Sequence, residues 1–532
     1  MSTTAQTNRV LIDGQWTESA TQVSFRATNP QTGAPLDATY PVSSWSDCQQ
    51  ALDAATRAFQ VLQRLPVETI AGFLDAYADR IETRAAEIVE LAHLETALPI
   101  SPRLKDVELP RTTGQLRQAA AAAREGSWRM ATIDTGANIR SYLASIGPVA
   151  VFGPNNFPLA FNSIAGGDFA AAVAAGNPVI AKANSSHPGT TQLLAEEAQL
   201  AADQYELPPG TVQLLYRLPH EDGQRLVADR RLAATGYTGS RRAGLRLKAA
   251  ADAAGKPIFL ELSSINPVVM LPGAVGERRA EIAAEFATSC LMGTGQFCTS
   301  PGLVILLAGD ESERWIRDVA NHFREAPVGT LLSSGVQSAL KAAIDRLEKA
   351  GARCVSETSA IAEDRFCCAN TLLQVSGEQF LAQPEVMQTE AFGNASLLVV
   401  AKDVAEVVEL LSNLEGNLTG TIYSATGGQD DAAYDKIEPV LRNRVGRLLN
   451  DKMPTGVAVS PAMNHGGPYP ATGNAYFSAV GIPAAMLRFG ILQCYDNVRP
   501  ERLPSWLQDK NPTGHTWRYV DQAWSQGNVA TY

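Results

Sequence analysis

The sequence lacks several features that would assign it to a specialised class of protein. Its seven cysteines are scattered over 532 residues, so they form no disulfide framework, and the odd count leaves at least one thiol unpaired in the monomer. The six histidines include no HExxH pair, and no second cysteine pair stands at zinc-ribbon spacing from Cys367 and Cys368, so we predict no metal. The net charge of -11 argues against nucleic acid as a partner.

The chain also lacks a long apolar run. Its most membrane-like stretch, from Ile164 to Ala181, is interrupted by Asp168, Asn177 and Pro178, which predicts a buried helix and strand rather than a membrane span. The amino terminus, MSTTAQTNRVLIDGQW, has neither the charged start nor the apolar core of a secretory signal. We therefore expect a cytoplasmic protein that acts on a small molecule and has no membrane partner.

What is present is an alternation of apolar strands and helices in a chain long enough for two or more domains. Residues 149–152 and 179–182 read as strands around a helix at 163–175, which is one βαβ unit. The pattern repeats with a helix at 190–205 and strands near 212–215 and 232–237, and a second alternation begins near Pro267. This predicts an α/β fold with a parallel, doubly wound sheet, whose ligands bind outside the carboxyl ends of the strands.

One candidate nucleophile, Cys298, stands in the segment GTGQFCTSPG, between glycine-bearing turns and directly after a predicted helix at 279–292. A thiolate presented from such a loop is a strong nucleophile if nearby positive potential favours its ionised form. Taken alone, a cysteine is more often a buried packing residue. The segment therefore indicates covalent catalysis only if other segments supply further catalytic groups.

Three further segments carry polar groups at predicted strand ends. Glu261 in FLELSSINPVV is a candidate general base, because a carboxylate among apolar neighbours is costly to bury unless it is exposed in a cleft or protonated. FGPNNFPLAFN presents Asn155 and Asn156 from a proline-bracketed turn, where an amide can donate to an oxyanion. Gly239 and Ser240 precede a helix whose free N–H groups suit a phosphate. A surface carboxylate and two ordinary turns remain the alternatives.

Together these segments resemble the aldehyde dehydrogenase superfamily in order and spacing, from about Arg9 to about Arg499. FGPNNFP resembles the family's Asn-Phe-Pro loop, VIAKANSSHPGT its cofactor lysine segment, TGYTGSRRAG its phosphate turn, FLELSS its glutamate motif, GQFCTSPG its nucleophile and TEAFGN its late Glu-x-Phe-Gly element. The resemblance implies a Rossmann-type doubly wound cofactor domain, an α/β catalytic domain and a small strand-bridging oligomerisation element. The implied ranges are 1–128 and 147–262 for the dinucleotide-binding domain, 263–480 for the catalytic domain, 129–146 and 481–499 for the oligomerisation element, and 500–532 for a C-terminal tail.

The resemblance also implies roles for individual residues. Cys298 would be the nucleophile, Glu261 the base that activates the deacylating water, and Asn156 an oxyanion donor. An aldehyde would be oxidised to a carboxylic acid through a thiohemiacetal and a thioester, with hydride passing to NADP or NAD. The residues implied in cofactor binding are Lys182, Ser185, Gly239, Ser240, Glu390 and Phe392. A homodimer or homotetramer is expected.

Several residues differ from the family pattern, and one of these differences bears on the expected cofactor. Ser185 stands where many NAD-preferring relatives have a glutamate, which would repel a 2′-phosphate by roughly 4 kcal/mol at about 4 Å and an effective dielectric constant of ~20. We therefore expect NADP to be preferred or both cofactors to be used, with Lys182 and Arg241 as further donors to that phosphate. Ser263 and Ser264 replace a glycine pair, and Asn394 replaces a proline.

The variant strings are most similar to the 2-oxoglutarate semialdehyde (2,5-dioxovalerate) dehydrogenase group. That substrate carries a carboxylate, so its tunnel should contain a cation, and Arg111 with Gln115 one turn later would supply the contacts. A solvated Arg111 remains the alternative. A second hypothesis is an NADP-dependent medium- or long-chain fatty aldehyde dehydrogenase, with an apolar entrance made by Phe157, Phe161 and Ile164. A third, of another class, is a non-catalytic structural or binding protein on the same fold.

Overall fold

The computed structural model describes residues 7–356, 361, 364–474, 476 and 478–530. Its strands form two seven-stranded sheets, a five-stranded sheet and a two-stranded ribbon. No helix in these described ranges is both long and apolar enough to cross a lipid bilayer. The strands are β1 (Val10–Ile12), β2 (Gln15–Thr17), β3 (Ser24–Thr28), β4 (Pro35–Pro41), β5 (Thr132–Asp134), β6 (Ile139–Ser145), β7 (Val149–Phe152), β8 (Val179–Lys182), β9 (Val212–Leu215), β10 (Ala234–Thr238), β11 (Ile258–Glu261), β12 (Val268–Met270), β13 (Leu303–Leu307), β14 (Arg353–Cys354), β15 (Thr371–Ser376), β16 (Ala395–Ala401), β17 (Asn417–Tyr423), β18 (Val445–Asn450), β19 (Gly490–Asp496), β20 (Arg518–Val520) and β21 (Ala523–Ser525).

The α-helices cover the faces of the two large sheets. They are α1 (Trp45–Leu62), α2 (Val67–Thr83), α3 (Ala85–Thr96), α4 (Leu109–Glu125), α5 (Gly167–Ala174), α6 (Pro188–Gln204), α7 (His220–Ala228), α8 (Arg241–Ala253), α9 (Pro272–Leu291), α10 (Asp310–Glu325), α11 (Ser334–Lys349), α12 (Gly377–Ala382), α13 (Pro384–Met387), α14 (Val404–Ser412) and α15 (Asp431–Arg442). An irregular helical turn, Ile100–Glu108, leads into α4.

The first large sheet has the strand order β11-β10-β7-β8-β9-β1-β2, in which β11 to β9 run parallel. The predicted strands at 149–152, 179–182 and 212–215 are confirmed to the residue. The helix predicted at 163–175 is shorter, because the chain first makes a series of turns and α5 begins only at Gly167. The Ala-rich face of α5 is fully buried against this sheet, as the apolar run predicted.

The second large sheet has the order β14-β15-β16-β13-β12-β17-β18 and is parallel except for β14. The helix predicted at 279–292 begins earlier, at Pro272, and is kinked at Arg278. Proline in the first turn lacks only an N–H that has no helical partner, which explains this start. The alternation predicted from Pro267 onward is therefore present as a second α/β unit.

The third sheet has the order β19-β6-β5-β20-β21. Strands β6 and β19 lie within the segments expected to form an oligomerisation element, and they pair antiparallel from Ile139 with Asp496 to Ser145 with Gly490. The tail is part of the same sheet, because β20 pairs in parallel with β5. The domain boundaries themselves stay a prediction.

Candidate active site

The candidate site lies at the carboxyl ends of four adjacent parallel strands. Asn156 follows β7, Lys182 ends β8, Gly239 follows β10 and Glu261 ends β11. Parallel strands deliver the loops at their carboxyl ends to one edge of the sheet, which is why residues far apart in sequence meet here. The resulting cleft has a volume of about 1060 Å³, and Cys298 contributes to its lining from the other sheet.

The loop of Cys298 is held by a close backbone contact. Gly295 has a φ of +68°, and a side chain there would collide with the carbonyl of Gly393, so glycine is needed both for the conformation and for the approach. The Gln296 side chain fixes the same loop, because its Oε1 accepts from the Leu332 N–H at 2.8 Å. These two contacts hold in place the turn that carries Cys298 beside the cleft.

Three ionisable side chains converge at Cys298. The Sγ of Cys298 lies 3.3 Å from Nε2 of His465, and the same nitrogen lies 2.8 Å from Oε1 of Glu261. Glu261 and His465 are buried, with 2% and 1% of their surface exposed, and Oε2 of Glu261 has no partner in the described structure. A carboxylate oxygen is therefore free beside the thiol.

The surroundings make the resting thiol a weak acid. Burial raises the pKa of Cys298 well above its usual value, the negative charge of Glu261 raises it further, and the positive charge of Arg111 lowers it. The surroundings of Cys298 therefore favour the protonated thiol over the thiolate. A base must take the proton as the sulfur reacts.

Asn156 lies beside the nucleophile loop, as an oxyanion donor must. Its Nδ2 donates to the Gln296 carbonyl at 2.9 Å, which uses one of its two hydrogens. Its own carbonyl accepts from Nη2 of Arg103 at 2.9 Å. The second amide hydrogen is available to a ligand on Cys298.

The expected cofactor residues line the cleft together: Lys182, Ser185, Gly239, Ser240, Glu390 and Phe392. Burial, and to a lesser degree the charge of Arg217, lowers the pKa of Lys182 to about 8. Ser240 is the N-cap of α8, and the free N–H groups at a helix start suit an anion. A side chain at Gly239 would meet the Tyr237 hydroxyl at 2.8 Å, so glycine allows the turn to pack against Tyr237. These features fit a dinucleotide.

The region around Ser185 is rich in cations. Nε of Arg217 donates to Oγ of Ser185 at 3.1 Å, and Arg242 and Arg246 also line the cleft. Arg241, expected as a phosphate donor, instead forms a bidentate ion pair with Glu415, at 2.6 Å for its closest contact. Its guanidinium is therefore already engaged, which corrects that expectation.

None of the four expected substrate residues, Arg111, Gln115, Phe157 and Ile164, is among the described residues that line the cleft. Ile164 is fully buried in the core, and Gln115 donates to the Ala160 carbonyl at 3.1 Å, so both support the protein interior rather than the cleft. The Phe157 ring packs edge-on against Phe297, the neighbour of Cys298. Arg111 lies over the Phe161 ring at 5.0 Å.

Two departures from the family pattern have a structural explanation. Asn394 donates to the Cys368 carbonyl and to Oδ1 of Asn370, both at 2.8 Å, which a proline cannot do. Oγ of Ser264 donates to Asn266 and Asn417 at 2.8 and 3.1 Å, while its N–H holds Glu390 at 3.1 Å. Both substitutions therefore add hydrogen bonds around the loops of Cys298 and Glu390. Ser263 lines the cleft itself.

Comparison with known proteins agrees with this geometry. The profile of the aldehyde dehydrogenase family matches residues 16–449, which is most of the chain. The chain belongs to the aldehyde dehydrogenase family. Among its relatives, alpha-ketoglutaric semialdehyde dehydrogenase 2 of Azospirillum brasilense is 39% identical, over 92% of this chain and 94% of the relative. Alpha-ketoglutaric semialdehyde dehydrogenase of Acinetobacter baylyi is 35% identical, over 94% and 95%.

Solved aldehyde dehydrogenases share the fold. Aldehyde dehydrogenase C of Pseudomonas syringae, solved as a variant with NAD+ and octanal, superposes with a TM-score of 0.80 at 21% identity, over 93% of this chain and 98% of that one. Lactaldehyde dehydrogenase of Escherichia coli gives 0.80 at 23% identity, over 92% and 98%. The expected fold is confirmed, and so is an enzyme that oxidises aldehydes with a nicotinamide cofactor, rather than a non-catalytic protein.

Two residues of this aldehyde dehydrogenase were missed in the sequence. His465 is 204 residues from Glu261 and follows no strand of the cofactor sheet, so only its glycine- and proline-rich surroundings, NHGGPYP, mark it. Arg217 follows β9, which is parallel and adjacent to β8. The rule that ligands bind at the carboxyl ends of such strands would have pointed to Arg217.

Proposed function

We propose that this aldehyde dehydrogenase oxidises 2-oxoglutarate semialdehyde to 2-oxoglutarate. The observation that carries the proposal is the state of Arg111. Its Nη1 donates to the Val457 carbonyl at 3.2 Å, while Nε and Nη2 are buried without a partner in the described structure. A buried guanidinium that leaves two nitrogens unsatisfied is suited to a carboxylate, which can accept two parallel hydrogen bonds.

The position of Arg111 relative to the nucleophile agrees with a short dicarboxylic substrate. Its positive charge is close enough to influence the pKa of Cys298, and Phe161, on which it lies, packs against His465 at 6.0 Å between ring centroids. A substrate carboxylate would accept from the unpartnered Nε and Nη2 of Arg111, while Nη1 keeps its bond to the Val457 carbonyl. The two relatives whose names state alpha-ketoglutaric semialdehyde as their substrate support this choice.

The mechanism begins at the protonated thiol. Glu261, held by its hydrogen bond with His465, takes the proton as Cys298 adds to the aldehyde carbon. Asn156 Nδ2 and the Cys298 N–H donate to the oxyanion of the thiohemiacetal. The bound nicotinamide supplies the hydride acceptor. Glu261 releases the thiol proton to solvent and then activates the water that hydrolyses the thioester. His465 acts as a positioning residue for this carboxylate throughout.

We also propose that NADP is preferred over NAD. Arg217 and Ser185 form a donor pair beside Lys182, and the only carboxylates among the described residues that line the cleft are Glu261 and Glu390. Glu390 accepts from the Ser264 N–H, on the loop after Glu261, rather than standing beside Ser185. A 2′-phosphate near Ser185 would therefore meet cations and no anion.

A cytoplasmic homo-oligomer is the proposed form of the enzyme. All seven cysteines are free, as expected in a reducing compartment. Strand β19 is an edge strand of the third sheet, and it exposes Ile491 at 45% and Leu492 at 67%. An apolar, unpaired edge of this kind is usually covered by a partner, so we expect a dimer or tetramer.

Steady-state kinetics with both cofactors tests the function. The substrates are 2-oxoglutarate semialdehyde, the uncharged five-carbon pentanal, and octanal for the fatty aldehyde alternative. We expect the highest kcat/KM for 2-oxoglutarate semialdehyde with NADP, and no turnover by Cys298→Ala. Equal kcat/KM for the semialdehyde and pentanal would contradict carboxylate recognition, and a preference for octanal would favour the fatty aldehyde dehydrogenase.

A further inference from the structure

The side chains of Glu261, Cys298 and His465 have a second property besides their place in catalysis. One oxygen, one sulfur and one nitrogen from these three groups lie within 4.8 Å of one another. Nε2 of His465 lies 3.3 Å from the sulfur and 2.8 Å from the oxygen, so the three atoms form one cluster. Carboxylate, thiolate and imidazole are the three ligand types that proteins use for zinc.

The distances between these atoms are near those of a tetrahedral zinc site. Bond lengths of about 2.3 Å to sulfur and about 2.0 Å to nitrogen or oxygen place sulfur roughly 3.5 Å from nitrogen, and nitrogen roughly 3.3 Å from oxygen. The observed separations are 3.3 and 2.8 Å. The Glu261 carboxylate must therefore move by about half an ångström, which its unpartnered second oxygen permits.

The charges of the three ligands also suit a dication. With Cys298 ionised and His465 neutral, the ligands carry a charge of about -2, which Zn²⁺ neutralises. The cations that oppose binding are Arg111 and Arg447, both of which interact electrostatically with Cys298. Neither is a ligand here, since Arg111 donates to the Val457 carbonyl and Arg447 donates to the carbonyls of Pro454 and Gly456.

We propose that Glu261, Cys298 and His465 bind one Zn²⁺ per chain, with water as the fourth ligand, and that the bound metal reversibly blocks the nucleophile. On binding, the S–H bond of Cys298 breaks, a Zn–S bond forms and the proton leaves to solvent. No redox change occurs. Cys298 and Glu261 line the open cleft, so the metal can enter from solvent. The ion is an inhibitor rather than a cofactor, because the proposed aldehyde chemistry needs no metal.

The test uses zinc chloride on the full-length, cofactor-free protein after chelator treatment. Equilibrium dialysis measures bound zinc, and mass spectrometry follows the alkylation of Cys298 with and without the metal. We expect one tight site per chain, slow alkylation when zinc is bound, and recovery on adding EDTA. Magnesium should give no protection, because a thiolate site selects soft metals. Cobalt should give a thiolate-to-metal charge-transfer band.

Substitutions at the proposed ligand residues test which side chains bind the zinc. Cys298→Ser and His465→Ala should each weaken zinc binding at least about 100-fold, since even the loss of a supporting contact costs 10- to 100-fold. His465→Gln replaces His465→Ala if the latter does not fold. The matched control removes the exposed thiols, as Cys354→Ser with Cys494→Ser, and should bind zinc normally.

The proposal is overturned if the control loses the site, or if both Cys298→Ser and His465→Ala keep it. Neither result bears on aldehyde oxidation measured in the presence of EDTA, so the zinc site and the proposed function are tested separately.

Discussion

Two arginines before and within α4 lie against the same phenylalanine ring but have different neighbours. Arg103 lies 4.2 Å from the Phe157 ring centroid and Arg111 lies 5.7 Å from it. Arg103 forms an ion pair with Glu108 at 3.2 Å and donates to the Asn156 carbonyl. Arg111 donates only to the Val457 carbonyl and leaves two buried nitrogens unpartnered.

This difference underlies our proposal that Arg103 is a structural residue and that Arg111 binds substrate. Glu108, paired with Arg103, also accepts from the N–H groups of Leu159 and Ala160 at 2.8 and 3.1 Å, so the pair holds the loop that carries Asn156. Buried polar groups are nearly always satisfied, and an exception is expected where a ligand supplies the partner. In the described structure Arg103 leaves one buried nitrogen, Nε, without a partner and Arg111 leaves two, but Arg103 has a paired carboxylate in Glu108. We propose that the substrate supplies the carboxylate for Arg111.

Among the substitutions of these arginines, removal of Arg103 should have the largest effect, which is a loss of unfolding free energy. Arg103→Leu leaves the buried Glu108 carboxylate without its cation, which costs about 3–5 kcal/mol of unfolding free energy. Urea unfolding followed by tryptophan fluorescence measures the change. The matched control is Arg117→Leu on the surface of α4, where the pairs with Asp79 and Glu82 are exposed and the loss should stay within about 1 kcal/mol. Equal losses for both variants would show that Arg103 is not a structural cation.

Removing Arg111 should affect selectivity instead. Arg111→Met keeps an unbranched apolar side chain at this position, but it removes the guanidinium and therefore the donors to a carboxylate. We expect kcat/KM for 2-oxoglutarate semialdehyde to fall by about 30- to 150-fold, or about 2–3 kcal/mol, and kcat/KM for pentanal to change little. Unfolding free energy should be unchanged or higher, since an incompletely satisfied buried cation is lost. A similar loss for both aldehydes would place Arg111 with Arg103 as a structural residue.

A third arginine extends the comparison to the cofactor. Arg217 is held by Ser185 and by the Phe25 ring, 4.4 Å from its guanidinium, with no carboxylate paired to it in the described structure. Arg217→Gln should lower kcat/KM for NADP by about tenfold, or about 1.4 kcal/mol, and leave NAD nearly unaffected. Measuring kcat/KM for NADP and for NAD at saturating aldehyde tests this expectation. A parallel loss with NAD would mean that Arg217 does not contact the 2′-phosphate.

The sequence predicted the strands of the cofactor sheet because each is a short apolar run bounded by turn residues, as at 149–152 and 179–182. It also predicted which residues end or follow those strands, so Glu261, Asn156 and Lys182 line one cleft, which Cys298 joins from the other sheet. The residues after these strands can be placed from sequence because parallel strands bring their carboxyl ends to the same edge of the sheet.

The substrate side could not be predicted in the same way. Arg103 and Arg111 are both cations on polar helical segments, and only the three-dimensional neighbours Glu108 and Val457 distinguish them. Gln115 faces inward on α4 because its amide meets the Ala160 carbonyl, and no periodicity of the helix reveals that partner. His465 reaches the site through an irregular segment, for which sequence offers no periodic signal.

The smallest expected effect connects Arg111 to the acidity of the nucleophile. Burial raises the pKa of Cys298, so its alkylation by iodoacetamide in the cofactor-free enzyme should be slow at neutral pH and should accelerate above the usual thiol value of about 8.5. Because the charge of Arg111 lowers that pKa, Arg111→Met should move the rate profile to higher pH. The Arg117→Leu profile serves as the reference. An unshifted profile for Arg111→Met would mean that its guanidinium is too well screened to act on the sulfur, and would weaken its placement beside the reacting end of the substrate.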